Sequence, residues 1–362
     1  MNNSTQDFQT LQNTLSSLIA SDIHFTPQWF ELLARTALPE GTKVGIYSLG
    51  KTDDLLAPRL PCMSFSNQPC VLHSLSNFYT PLFAPIAGDT INKEGIASLI
   101  DRLAQDRPIW TMLNFRPLDP DTSFFNSLTK GLKDGGWWVD RYFCFGNWFL
   151  QVDEDSFDSY FAKRPSQLRN TVNRARKKLL KLPNYQLHIQ TQADELLEPM
   201  LADFVTVYNR SWKKPEPFPD FIPELGRLAA REGWLRLGVI RLNDQPIAAQ
   251  LWLVFGGVAS IVKLAYDQEH IRLSAGSVLT AALMQHVTDI DKVREVDYLI
   301  GDDPYKRDWM SHRRERYGII AFNPRTVSGL VSAACHFGGR LFKTIVKREN
   351  TTNLQYLNQP SR

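Results

Sequence analysis

Residues 265–283 read AYDQEHIRLSAGSVLTAAL, and residues 295–309 read EVDYLIGDDPYKRDW. The first stretch ends an apolar strand at Ala265, crosses a short polar loop and enters a helix near Ser274. The second is an apolar strand over residues 295–300 that breaks at Gly301 into a loop crowded with ionisable groups. A strand, a helix over residues 274–290 and a second strand make a β–α–β crossover, which lays two strands parallel with the helix on one face. Ser274 stands where a helix N-cap belongs, and Leu279, Leu283 and Ile290 are predicted to face the core.

Working outward, three strands precede the crossover, over residues 235–242, 246–255 and 258–265. Asn243-Asp244 and Gly256-Gly257 join them as tight turns, so they meander antiparallel. Helices over residues 164–180 and 194–211 flank a strand at 185–189, and the Pro-rich KKPEPFPDFIP leads to a helix ending near Arg231. A short helix near residues 305–314 and a strand at 318–322 complete this half. The first half has a similar order. A helix starts at Thr26-Pro27, strands are predicted over 43–49, 59–65, 109–115 and 137–150, and helices over 92–106 and 121–134. The sequence therefore predicts an α/β fold with mixed sheets. The acidic VDEDSFD marks a division into residues 1–152 and 153–324, with 325–362 as a C-terminal helix and tail packing on the first domain.

The composition of the 362 residues narrows the class. Hydrophobic residues make up 43%, enough for a substantial core, and the net charge of +3 excludes nucleic-acid binding by bulk charge. No run approaches the roughly 18 apolar residues of a membrane span, and the N-terminus lacks a basic, apolar leader, so the expected location is the cytoplasm. Cys62, Cys70, Cys144 and Cys335 lack CxxC spacing and read as reduced thiols, with a Cys62–Cys70 disulfide the alternative. The seven His are scattered without HExxH spacing, so no metal is expected, and no GxSxG elbow appears.

Charge is nevertheless uneven. No acid occurs between Ser159 and Ala193, while eight Lys and Arg, from Lys163 to Lys181, fall there. On a helix starting at Ser166, Leu168, Val172, Ala175 and Leu179 share an apolar face and basic side chains such as Arg174 cover the rest. That face is either simply solvated or a contact for the phosphates of a cofactor, a nucleotide-linked substrate or RNA. Ala275, Gly276 and Ser277 leave the first-turn amides of their helix open to an anion, although an ordinary capped helix fits equally well. Beyond the 295–300 strand, Asp302, Asp303, Tyr305, Lys306 and Trp309 converge where open α/β sheets bind ligands. The two acids could serve as base, Tyr305 as acid and Lys306 as a phosphate or carboxylate contact. Tyr208, Trp212 and Lys213 could line a pocket, or Tyr208 and Trp212 could be core.

With these pieces assembled, the stretch from Tyr160 to Phe322 resembles the catalytic half of FemAB-like and cellulose-biosynthesis-associated acetyltransferases of the GNAT superfamily. The resemblance rests on RNTVNRARKK, YNRSWKK, LAYDQEH, SAGSVL and DYLIGDDPYKRDW, in that order. SNFYTPLFAP in the first half is similar to the companion half of such proteins. The resemblance implies two tandem GNAT-like domains. It also implies acetyl-CoA or another acyl-CoA held in a wedge between two central strands, with its pyrophosphate at Arg272, Ser274, Ala275, Gly276 and Ser277. The full Q/RxxGxG/A loop is absent, since the chain reads IRLSAGS. The implied reaction is acylation of an amine on a cell-envelope, polysaccharide-related or small-metabolite acceptor. Asp302 or Asp303 would be the proton acceptor and Tyr305 the acid to the thiolate, while Lys306, Tyr266, Trp212, Tyr208 and Arg174 would contact substrate. Two alternatives stand beside it. One is a Fem-type aminoacyl-tRNA-dependent transferase, the only reading that brings in nucleic acid. The other is a non-catalytic scaffold or membrane-surface protein, suggested by the apolar stripe Leu330, Val331, Ala334, Phe337, Leu341 and Ile345 beside Arg340, Lys343, Lys347 and Arg348.

Overall fold

The computed structural model describes residues 3–15, 20–50, 54, 56–86, 91, 93–153 and 156–339. The first half contains α1 (Asn3–Leu15), α2 (Pro27–Thr36), β1 (Lys43–Ser48), β2 (Arg59–Phe65), β3 (Gln68–Ser74), α3 (Lys93–Gln105), β4 (Met112–Leu118), α4 (Ser123–Asp134) and β5 (Trp138–Gln151). Helix starts follow local chemistry. Thr26 and Thr122 each accept a hydrogen bond from a first-turn amide, of Trp29 and Phe125, at the heads of α2 and α4. β3 was not legible because its hairpin partner β2 is only a short turn away and Pro69 breaks the alternation. The strand expected at 109–115 is displaced to β4, since Trp110 is turned inward and its indole donates to Asp106.

The second half contains α5 (Phe157–Ala162), α6 (Ser166–Leu179), β6 (Tyr185–Gln190), α7 (Leu197–Asn209), α8 (Phe221–Arg231), β7 (Leu235–Leu242), β8 (Gln245–Phe255), β9 (Val258–Tyr266), α9 (Ala275–Gln285), β10 (Glu295–Asp297), α10 (Pro304–Trp309) and β11 (His312–Phe322). A last helix, α11, covers 327–339. α6 buries Val172, Ala175 and Leu179 as its spacing requires, and Leu168 packs beside them. Ile290 departs from the expected core face and is 69% exposed. After Gln285 the helix widens into a π turn over His286–Ile290, which shifts the phase and rotates Ile290 outward.

The eleven strands of the described residues form one sheet in the order β1-β2-β3-β4-β11-β5-β10-β9-β8-β7-β6. The two halves exchange strands at its centre: β11, from the second half, lies between β4 and β5, and β5, from the first, lies between β11 and β10. The change between halves along the chain, between β5 and α5, thus does not coincide with a break in the sheet. This is a mixed α+β architecture built on one continuous sheet. Two apolar clusters follow from it, one joining α2, α4 and the first-half strands to α7 and α8, the other packing α5, α6 and α9. On α11, Ala333 is buried, His336 meets Asp140 of β5 at 2.7 Å, and Phe337 packs on Phe322. Of the predicted apolar stripe, Val331 and Ala334 are exposed, and the residues from Arg340 onward lie outside the described residues. Among the described residues, no helix is long and apolar enough to cross a membrane, and the four cysteines are free thiols.

β3 carries a titration built into this packing. Burial, with Arg116 nearby, brings His73 down to about 4, and its Nε2 is buried without a hydrogen-bond partner. The folded state therefore favours neutral His73, whereas an unfolded histidine titrates near 6.5. This contribution to stability is complete above about pH 6.5 and is lost as pH falls towards 4. Urea unfolding at pH 7 and pH 5 is expected to show this loss, and His73→Gln should flatten it. An identical pH dependence in the variant would remove His73 from the account.

Candidate active site

The site begins where β9 and β10 part. They pair as parallel strands only at Val258–Ser260 with Glu295–Asp297, although β9 continues to Tyr266. The strand predicted over 295–300 therefore stops at Asp297. Its continuation is held on the other side, with Tyr298 N–H donating to Trp148 O and Asn147 bridging to Gly301. Asp297 accepts from Leu299 N–H and from the Asn147 amide, each at 2.6 Å. Lys306 completes the turn: its Nζ donates to the carbonyls of Ile300, Gly301 and Tyr298 at 2.6, 3.2 and 3.3 Å. The result is a wedge with two clefts that share Trp212, Leu264, Tyr298 and Tyr305 as a wall.

One cleft, of about 410 Å³, runs between the starts of α6 and α9. Ser274, Ala275, Gly276 and Ser277 line it together with Tyr266 and Trp212, whose rings stand 4.5 Å apart. Ser274 corrects the expected cap. It adopts the left-handed region (φ 50°) and its side chain makes no capping bond. The Ser277 and Val278 amides donate to Ser274 O, while the Ala275 and Gly276 amides at the head of the first turn are left without a side-chain cap. A Cβ on Gly276 would meet the Tyr266 ring at 3.2 Å, so the opening requires a small residue. Gln250, which the sequence did not flag, fixes this helix start. Its amide, 1% exposed, donates to Gly276 O at 3.0 Å and to Thr280 Oγ1 at 2.8 Å, and its oxygen accepts from Trp252. Arg272 is exposed and does not line the cleft; it sits on the outer side of the preceding 3-10 turn. Arg174 is likewise exposed, its guanidinium turned back to Asn170 O on its own helix.

The other cleft, of about 310 Å³, lies between the two halves: Phe78 and Tyr79 come from the first, and Lys213, Lys263, Asp303 and Lys306 from the second. Lys263 pairs with Glu216 at 2.5 Å, and Glu216 also accepts from the Tyr79 and Tyr208 hydroxyls. Burial raises Tyr208 well above the usual tyrosine range, with the Glu216 bond adding to it; its ring is buried behind Trp212 rather than lining either cleft. Lys306 is present, but its three carbonyl partners and Asp303 at 3.6 Å occupy an ammonium only 4% exposed. These bonds hold the loop's shape, and the residue still borders the cleft.

The two expected acids separate. Asp302 is bound by Arg313 at 2.7 and 3.0 Å and by the Trp148 indole at 2.6 Å, and it lines neither cleft. Hydrogen bonding from Arg313 holds its carboxyl below the usual range, which suits an ion pair and not a base. Asp303 does line the second cleft. It stands at the N-cap of α10 before Pro304, but its side chain makes no capping bond. Tyr305 borders both clefts, and burial pushes it up to about 12, so it carries its proton at neutral pH. Phe78, Tyr79, Glu216 and Lys263 were not anticipated, because contacts such as Tyr79–Glu216 span the two halves and leave no local pattern.

Residues 166–307, which carry all of the first cleft except Asp308 and Trp309, match the family model described as an acetyltransferase (GNAT) domain. Three solved structures share the fold over nearly the whole chain. FemX aligns at 10% identity and TM-score 0.62, covering 90% of this chain and 98% of its own. L-PGS from Bacillus licheniformis aligns at 12% identity and TM-score 0.54, covering 92% and 96%. The C-terminal DUF2156 domain of an Agrobacterium fabrum protein assigned as a lysylphosphatidylglycerol synthetase aligns at 12% identity and TM-score 0.55, covering 92% and 97%. No curated protein matches the sequence. Residues 166–307 are thus a GNAT acetyltransferase domain, and the chain as a whole shares its fold with FemX. It is an acyltransferase.

Gln250 provides a check on this geometry. Gln250→Leu would leave the buried Trp252 indole N–H without its acceptor, while Gly276 O keeps Thr280 Oγ1, at a cost of about 1–3 kcal/mol. Urea unfolding followed by tryptophan fluorescence is expected to show that loss, and unchanged stability would mean that the helix start is held by other contacts.

Proposed function

We propose that the protein transfers an acyl group from coenzyme A to a primary amine, with donor and acceptor approaching the shared wall from opposite clefts. The observation that carries this reading is the uncapped start of α9, opening into a cleft inside the segment that matches the GNAT model. The uncapped Ala275 and Gly276 amides and the positive end of the helix dipole suit a pyrophosphate, and the lack of a side chain at Gly276 lets it come close. The aromatic pair Trp212–Tyr266 would flank the pantetheine arm as it enters the wedge.

The acyl carbonyl would lie along β9 beyond Ser260, where the backbone has left the β10 ladder and its amides can stabilise an oxyanion. Tyr305, at the junction of the clefts and protonated, would hand its proton to the departing thiolate. Of the two acids first considered as base, only Asp303 borders the acceptor cleft. The acceptor is an amine on a small metabolite or on a precursor of the cell envelope or a polysaccharide, met in the cytoplasm. The fold shared with the lysylphosphatidylglycerol synthetase domain is compatible with an envelope-linked acceptor.

Isothermal titration of the purified protein with acetyl-CoA, longer acyl-CoAs and aminoacyl-tRNA tests the donor. Acetyl-CoA is expected to bind, and Gly276→Val to weaken it at least roughly tenfold by filling the space against Tyr266. Thiol release with a panel of amines then identifies the acceptor. Binding of aminoacyl-tRNA with no response to any CoA would replace this reading by the Fem-type aminoacyl transfer.

A further inference from the structure

Three lysines line the acceptor cleft, and they are not equivalent. Lys263 is paired with Glu216, and Lys306 is enclosed by three carbonyls and Asp303. Among the described residues, Lys213 Nζ has no ion pair and no hydrogen bond. It stands over two aromatic rings, 5.5 Å from the centroid of Trp212 and 5.6 Å from that of Tyr208. Trp212 is part of the wall between the clefts, so the neighbouring Lys213 lies beside the point where donor and acceptor would meet.

We propose that Lys213 is the proton acceptor of the acyl transfer, taking the proton that the acceptor amine must lose. This rests on the acyltransfer reading above and deepens it. As the acceptor nitrogen forms its bond to the acyl carbon, an N–H proton passes to the lone pair of neutral Lys213 Nζ. The carbon–sulfur bond breaks, and the thiolate takes the Tyr305 hydroxyl proton. The Lys213 ammonium then returns a proton to the Tyr305 oxygen, which restores both side chains and leaves amide and thiol.

The surroundings favour a neutral amine at this position. Burial and then the Lys263 ammonium bring Lys213 down to about 8, with Lys306 adding in the same direction. Glu216 and Asp303 act in the opposite sense, but Glu216 is already engaged by Lys263, Tyr79 and Tyr208, and Asp303 lies against Lys306. A base titrating near neutrality balances the fraction in the active form against proton affinity. The Asp303 carboxylate is already engaged as the ion-pair partner of Lys306, at 3.6 Å.

Direct titration tests the proposal without a known acceptor. Trace labelling of the intact wild-type protein with acetic anhydride between pH 6 and 11, read by peptide mass spectrometry, gives a reactivity curve for each lysine. Lys213 is expected to reach half its maximal reactivity near pH 8, well below exposed lysines at about 10.4. With an amine found active in the thiol-release assay, both Lys213→Met and Lys213→Arg should lose roughly a hundredfold in kcat, together with the rise in rate through pH 8. A Lys213 curve coinciding with the exposed lysines would overturn the proposal. So would full activity in Lys213→Arg, which would make the residue an anchor for an anionic acceptor. Failure of the donor reading shows separately, as absence of acetyl-CoA binding, and does not alter the labelling curve.

Discussion

The parting of β9 and β10 after three paired residues is the constraint on which the site depends. A sheet that splits must find other partners for the backbone groups it releases, since a buried orphan carbonyl or amide costs about as much as a lost hydrogen bond. Here the groups beyond Asp297 are taken up by β5, by the Asp297 carboxylate and by the Lys306 ammonium. Lys306 thereby replaces a strand's worth of carbonyl partners with one buried cation. Arg314, bridging Glu295 and Asp297, ties the same turn to β11.

That arrangement makes the two halves interdependent. β11 supplies the Arg314 contact, yet it lies between β4 and β5 of the first half. The cleft lined by Phe78 and Tyr79 is composite in the same way, with Tyr79 reaching across to Glu216 and stacking on Phe221 of α8. The first half is thus more than a support for the catalytic one: it forms one side of the space in which the acceptor would be recognised.

Much of this could be read from the residues, and the limits have physical causes. The apolar face of α6, the small residues at the start of α9 and the crowded loop after the 295–300 strand are local patterns, and the structure keeps all three. The exchange of β5 and β11 is set by pairing between distant segments, which writes no periodicity into either strand. Lys306 looked like a ligand contact because sequence shows a charge but not the carbonyls around it. Asp302 looked equivalent to its neighbour Asp303 until Arg313, eleven residues on, separated them. Lys213 stood in plain view, yet its isolation depends on Glu216 being taken by Lys263, and only three dimensions show that.

The wall of Trp212, Leu264, Tyr298 and Tyr305 has a kinetic consequence. The two clefts lie on either side of it, so with donor and acceptor placed as proposed neither substrate has to leave before the other can bind. With the donor and acceptor placed as proposed, the reacting atoms meet only when both clefts are filled. Such an enzyme works through a ternary complex, and its double-reciprocal plots should intersect rather than run parallel.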